Sequence, residues 1–255
     1  MLKNIYRNLQ EHFISIILVL FYFSEAFNKV IKFSTADFFN MSRAVKGIIL
    51  IPLLIGVLYK NPKSIFHILL LLVCFSLGQF YLVDFVNTPA VILFFKQCFA
   101  LVIFMYFNIY KLNEVQRNRL FVVFEFLILI NSLFIILGFI FSIDIFYTYK
   151  GSRFGFNGFF VASATGSFVN IIALFYYVVK LKTELLKDYK AVVLLLAMML
   201  IGTKSVYLTL FLTGVIYAQY YLDFAARKIA IFLFLTILFL FMYFFFYSFG
   251  VFNEI

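Results

Sequence analysis

The feature that most constrains this chain is a succession of apolar runs, each about as long as a bilayer is thick, separated by short polar stretches. A helix rises 1.5 Å per residue, so about 20 predominantly apolar residues cross a hydrocarbon core of roughly 30 Å. Nine such runs can be placed, at 11–28, 44–59, 64–83, 90–110, 119–142, 158–179, 186–203, 205–222 and 228–250. The apolar residues come in blocks and not in two-residue alternation, which points to helical spans and away from an outer-membrane barrel. Of 255 residues, 65% are hydrophobic and 13% charged, against roughly 25% charged in a soluble domain. No polar stretch exceeds about 20 residues, so the expected fold is all-α, one polytopic membrane helical bundle over 1–255.

The net charge of +10 comes from basic residues in the loops between apolar blocks. That placement reads as membrane orientation and not as nucleic-acid binding. With the N-terminus in the cytoplasm, 13 basic residues fall on the cytoplasmic side, Lys60, Lys63, Lys180, Lys182, Lys187 and Lys190 among them. The outer side then holds 7, which include Lys29, Lys32, Lys150, Arg153 and Lys204. The bias predicts N-in, C-out. Lys3 and Arg7 before the run from Phe13 resemble the start of a signal peptide, but Ser24-Glu25-Ala26 is a poor cleavage site, so an uncleaved first span is expected.

Cys74 and Cys98 both lie in apolar segments and read as small core residues. The sequence has no HExxH, CxxC or carboxylate cluster and no phosphate-binding GxxxxGK[ST] loop, so neither a metal nor a cofactor is expected. Polar intruders in the spans are then the candidates for function. Lys96 and Gln97 interrupt run 4, and Glu125 interrupts run 5. These two charges lie at opposite depths, so Glu125 is expected to pair with Arg119 or a loop cation. Lys96 either snorkels outward or lines an outer cavity. His67 reads as a satisfied interior histidine.

Two short motifs stand out. The stretch 149–158 places Lys150 and Arg153 among three glycines just before run 6 and includes Asn157. It is either a solvated loop or an anion site, where glycines admit backbone N–H groups to a phosphate and a helix start adds positive potential. Run 6 then carries Ala162, Ser163, Gly166 and Ser167 at small-xxx-small spacing, followed by Asn170. Close helix packing and a polar cavity lining are both open there. The second motif, Gly202-Thr203-Lys204-Ser205, divides runs 7 and 8. The 12 apolar residues before it reach only about 18 Å. Either Lys187 and Lys190 snorkel to lengthen that run, or the turn is recessed with Lys204, and Ser205 caps the next helix.

The stretch Arg153-Phe154-Gly155-Phe156-Asn157-Gly158 entering a span of small residues, followed one loop later by the hairpin Gly202-Thr203-Lys204-Ser205, resembles the O-antigen polymerase and O-antigen ligase superfamily. The resemblance covers roughly 150–222 and rests on 153–158 and 202–205. It implies a metal-independent glycosyltransferase of the bacterial cytoplasmic membrane, joining oligosaccharide units carried on undecaprenyl diphosphate at the outer face. Arg153 and Lys204 would be catalytic, stabilising the leaving diphosphate. Lys150, Asn157, Ser205 and Lys96 would bind substrate. Membrane lipids and a chain-length regulator or partner membrane subunit are the implied partners. The sequence departs from the family in having Lys204 where Arg is usual, and the family's large outer loop, with a further Arg and a His, would begin about where the sequence ends at Ile255. A fragment, a partner-dependent half and an inactive remnant are the three readings of that departure. Outside the family, a small permease or flippase-like subunit for an anionic or lipid-linked solute would use the same cations without chemistry. A non-catalytic component of an envelope glycan machine is the third function class.

Overall fold

The computed structural model describes residues 2–34, 41–83, 88–149 and 154–221, together with Thr236 and Phe239. It is helical throughout, and the one β-bridge among the described residues joins Tyr147 and Phe156. The helices are α1 (Leu2–Ser34), α2 (Met41–Lys60), α3 (Ile65–Val83), α4 (Thr88–Ile109), α5 (Glu114–Ile140), α6 (Ser163–Leu181), α7 (Tyr189–Leu200) and α8 (Lys204–Tyr221). Six helical stretches among the described residues are long and apolar enough to cross a membrane: His12–Lys32, Met41–Lys60, Pro62–Tyr81, Ala90–Ile109, Glu114–Ile140 and Ser163–Glu184. α7 is apolar but only 12 residues long. In α8 the apolar run is diluted by Lys204, Gln219 and four tyrosines. Run 9, apart from Thr236 and Phe239, lies outside the described residues.

Local chemistry sets several helix boundaries. Asn61-Pro62 ends α2, because proline has no N–H to continue the ladder and biases the residue before it away from helix. Asn113 and Gln116 cap the start of α5 reciprocally, each side-chain oxygen accepting the other's backbone N–H at 2.7 and 3.1 Å. Asp188 caps α7 by accepting from the N–H groups of Lys190 (2.8 Å) and Ala191 (3.3 Å).

Two compact units share the chain, with boundaries inside α1 and α5. Unit 1 comprises residues 1–24 and 39–121. Its core joins Ile49, Leu53 and Val57 of α2 to Cys98, Val102 and Met105 of α4, with Phe13 and Ile17 of α1 against it. Gly56 lets the Tyr106 ring approach α2, and the Tyr110 hydroxyl donates to the Gly56 carbonyl at 3.0 Å. Unit 2 comprises residues 25–38 and 122–255. Among its described residues, Ile128, Ile135, Leu174, Tyr177, Leu194, Met198 and Val206 form the core of α5 to α8.

Two expected boundaries move. α1 continues to Ser34, so Lys29 and Lys32 stand on the helix and not in an outer loop. α6 begins at Ser163 and not near 158, because residues 154–162 form a folded loop.

Candidate functional site

The site is built where α7 stops short. α6 has 19 residues and spans about 28 Å, whereas α7 returns only about 18 Å before the chain turns at 201–203. The Thr203 and Ser167 hydroxyls share a hydrogen bond of 2.8 Å, and Ser167 lies four residues past the start of α6. The turn is therefore level with the second helical turn of α6, inside its end. α7 begins at Tyr189 and no earlier, so it is not lengthened toward Lys187, and the turn after it stands short of the start of α6.

The chain segment between α5 and α6 fills the space above this turn. The Phe156 N–H donates to the Leu200 carbonyl at 2.8 Å, and the Thr148 hydroxyl donates to the Ile201 carbonyl at 3.2 Å. Thr148 N–H donates to the Gly155 carbonyl at 2.7 Å, closing the segment on itself. Gly155 and Gly202 face each other at φ of +149° and +75°. A Cβ on Gly155 would collide with the Ile201 carbonyl oxygen, and one on Gly202 with the Phe154 carbonyl oxygen. Only glycine permits this approach. The glycines of the two sequence motifs thus serve each other.

The loop is as buried as the helices around it. Phe156, Asn157 and Phe160 are each at most 3% exposed. Phe134 of α5 packs edge-on to Phe159 with ring centroids 4.4 Å apart. Irregular backbone at such depth is tolerated where protein buries it and supplies its hydrogen bonds. Asn131 of α5 does so, its Oδ1 accepting the Phe159 N–H at 3.0 Å. Gly158, at φ +60°, turns directly over Asn131. On α6, Gly166 admits the Asn157 and Phe160 side chains, each Cβ 3.4 Å from where its own would stand. Asn170 bonds the Gly166 carbonyl of its own helix at 2.7 Å. The small residues of α6 therefore serve both close packing and a polar interior.

Lys29, near the end of α1 and 8% exposed, reaches into this loop. Its ammonium donates to the side-chain carbonyl of Asn157 and, at 2.5 Å, to the backbone carbonyl of Gly158. Glu25, one turn earlier on α1, is also buried. The sequence reading placed Lys29 among ordinary loop cations and so missed it. The available signal was a Glu25/Lys29 pair at helical i, i+4 spacing inside an otherwise apolar run.

A second charged cluster joins α5, α6 and α7. Glu125 is paired with Lys180 and with Lys190 (2.9 Å) and accepts from the Tyr176 hydroxyl at 2.5 Å. The expectation of Arg119 as its partner is corrected; that guanidinium lies 3.2 Å from His12 Nε2 within unit 1. Arg119 and Glu125 are six residues apart, a spacing that does not bring two side chains to one helix face. The partners are cations of the expected 180–190 loop, but the structure places Lys180 in the last turn of α6 and Lys190 in the first turn of α7.

Among the six residues singled out from sequence, Lys204 and Ser205 are exposed at the first two positions of α8. Ser205 is therefore inside the helix and does not cap it; Thr203 precedes the helix, and its carbonyl receives the N–H groups of Val206 (3.1 Å) and Tyr207 (3.2 Å). Asn157 is buried with its carbonyl engaged by Lys29. Lys96 is exposed on α4 in unit 1. Lys150 and Arg153 lie outside the described residues, but Phe154, the next residue, rests on Gly202. No group of three or more His, Cys, Asp or Glu suited to a metal occurs among the described residues.

No known family model, curated protein or solved structure matches the chain.

Proposed function

We propose that this chain belongs to an envelope-polysaccharide polymerase of the O-antigen polymerase and ligase type, with nine spans, N-in and C-out, in a bacterial cytoplasmic membrane. The observation that carries the reading is the glycine-to-glycine contact between the 153–158 and 202–205 motifs. Two motifs selected separately from the sequence turn out to be one structure. Lys204 stands two residues beyond the Gly202 contact, and Arg153 directly precedes Phe154 on its other side.

Lys204 occupies the first helical position of α8, where the helix dipole is also positive. A cation there is unfavourable by about 0.3–1 kcal/mol without an anion to receive both fields. A diphosphate supplies that anion. In the proposed reaction, an acceptor sugar hydroxyl bonds to the anomeric carbon of the donor glycan. The bond from that carbon to the diphosphate oxygen breaks, its electron pair leaves on undecaprenyl diphosphate, and the hydroxyl proton passes to solvent. Lys204 and Arg153 would hold the growing negative charge on the leaving diphosphate.

Deleting the gene and running envelope glycans on a gel tests the reading. Loss of the polymer ladder with single repeat units retained is the expected result, and Arg153→Ala should reproduce it. An unchanged ladder contradicts the proposal.

The short α7 and the buried loop also fit the broken helices of transporters. Under that second reading, deletion would abolish export of the lipid-linked units themselves, and no new glycosidic bond would depend on Lys204.

A further inference from the structure

We propose that Lys29 is a positioning residue whose buried ammonium pins the 154–160 loop over the α7–α8 turn and so fixes the turn from which Lys204 begins α8. Its consequence for catalysis rests on the polymerase reading; the pinning itself does not.

Three observations carry the inference. First, Lys29 donates to two acceptors on consecutive residues, the Asn157 side chain and the Gly158 backbone. Both belong to the turn of the loop, 128 and 129 residues away in sequence. Second, the other hydrogen bonds that tie the loop to its surroundings include neutral ones: Phe156 N–H to Leu200, Asn157 N–H to Phe146, Thr148 to Ile201 and Phe159 N–H to Asn131. Hydrogen bonds from a charged donor contribute about 1.5–3 kcal/mol each, against about 0.5–1.5 for neutral ones. Third, Lys29 is 8% exposed in a chain rich in surface lysines. Placing an ammonium there is costly unless its bonds recover the desolvation. A lysine needed only for membrane orientation would stand in water.

One backbone bond also holds the tip, from the Asn157 N–H to the Phe146 carbonyl at 3.0 Å. Gly158 has no side chain, and the Asn157 Nδ2 makes no hydrogen bond among the described residues. Removing the ammonium would leave two buried acceptors unmet at the point where the chain reverses toward α6. The loop would then lift at 156–160, and the α7–α8 turn would lose the contacts of Phe154 and Phe156 that hold it next to Lys204.

Hydrogen exchange on the full chain in detergent micelles, with Lys29→Met and Lys29→Arg beside the wild type, tests this directly. Lys29→Met should speed exchange in peptides covering 146–160 by about 10- to 100-fold, the factor that 1.5–3 kcal/mol implies, while peptides of α2 and α4 keep their rates. Lys29→Arg, which keeps charge and donors, should restore most of the protection. Unchanged exchange in 146–160, or equal acceleration along the whole chain, would overturn the pin. In cells, Lys29→Met at wild-type membrane level should shorten the polymer ladder and Lys29→Arg should recover it. If gene deletion leaves the glycans unchanged, the polymerase reading fails while the exchange result still decides the pin.

Discussion

Helices α3 and α6 are both 19 residues long and both apolar enough to cross a bilayer, yet they are built for different surroundings. α3 buries no residue of 65–81, and Phe66, Leu70, Leu77 and Phe80 are each more than 60% exposed. α6 buries Gly166, Ser167, Asn170, Ala173, Leu174 and Tyr177. Lipid tails are as apolar as leucine, and the few polar residues of α3, His67, Ser76 and Gln79, are not buried, so little beyond the contacts of Ile68, Leu71 and Phe75 fixes its rotation. The small and polar residues of α6 have specific partners: Asn157, Thr203 and the helix's own backbone. What marks the candidate site is therefore not hydrophobicity but the few residues that a lipid-facing helix would exclude.

The comparison can be broken by substitution in unit 2 and in α3. The largest effect is expected at Gly202→Val. The φ of +75° and the Phe154 carbonyl both oppose a β-branched side chain, so the loss should exceed about 3 kcal/mol of strain and clash. Thermal unfolding in detergent should show it as a large drop in melting temperature. Glu125→Leu comes next, because it leaves Lys180 and Lys190 without their shared carboxylate. The cost should be about 2 kcal/mol, below the 3–5 typical of a fully buried pair, since the two lysine side chains are 47% and 32% exposed. A chemical denaturation series would sharpen that figure, and a stability equal to wild type would remove Glu125 as a clamp. The smallest effect is expected at Leu77→Ala on α3, where 65% of the residue is uncovered by protein; a change within about 0.5 kcal/mol is predicted. A loss as large as that at Glu125 would mean that the Leu77 face of α3 is covered, beyond the contacts that Ile68, Leu71 and Phe75 make with the α2 and α4 side.

Much of the framework was legible from periodic apolar runs. The expected runs 2, 3, 4 and 8 lie within about three residues of α2, α3, α4 and α8, because Pro62 and the 202–205 turn punctuate them. The shortness of α7 was also readable, since only 12 apolar residues precede the turn at Gly202. The start of α6 was not. Phe159 and Phe160 look like helix in a hydropathy profile, yet Gly158 and the Asn131 side chain, which accepts the Phe159 N–H, keep them in a buried loop. Lys29 was missed for a related reason. A charge near the end of an apolar run reads as the edge of the membrane, and only a contact 128 residues away shows that it faces protein. Tertiary contacts of this kind leave no local pattern. The same holds for Glu125, whose partners come from α6 and α7 and not from its own helix.

The most direct test of the central claim is the envelope-glycan ladder of cells whose only copy carries Lys204→Ala at wild-type membrane level, with Lys204→Arg as its companion. The account predicts single repeat units in the alanine strain and a ladder in the arginine strain. Full-length polymer in the Lys204→Ala strain would contradict it.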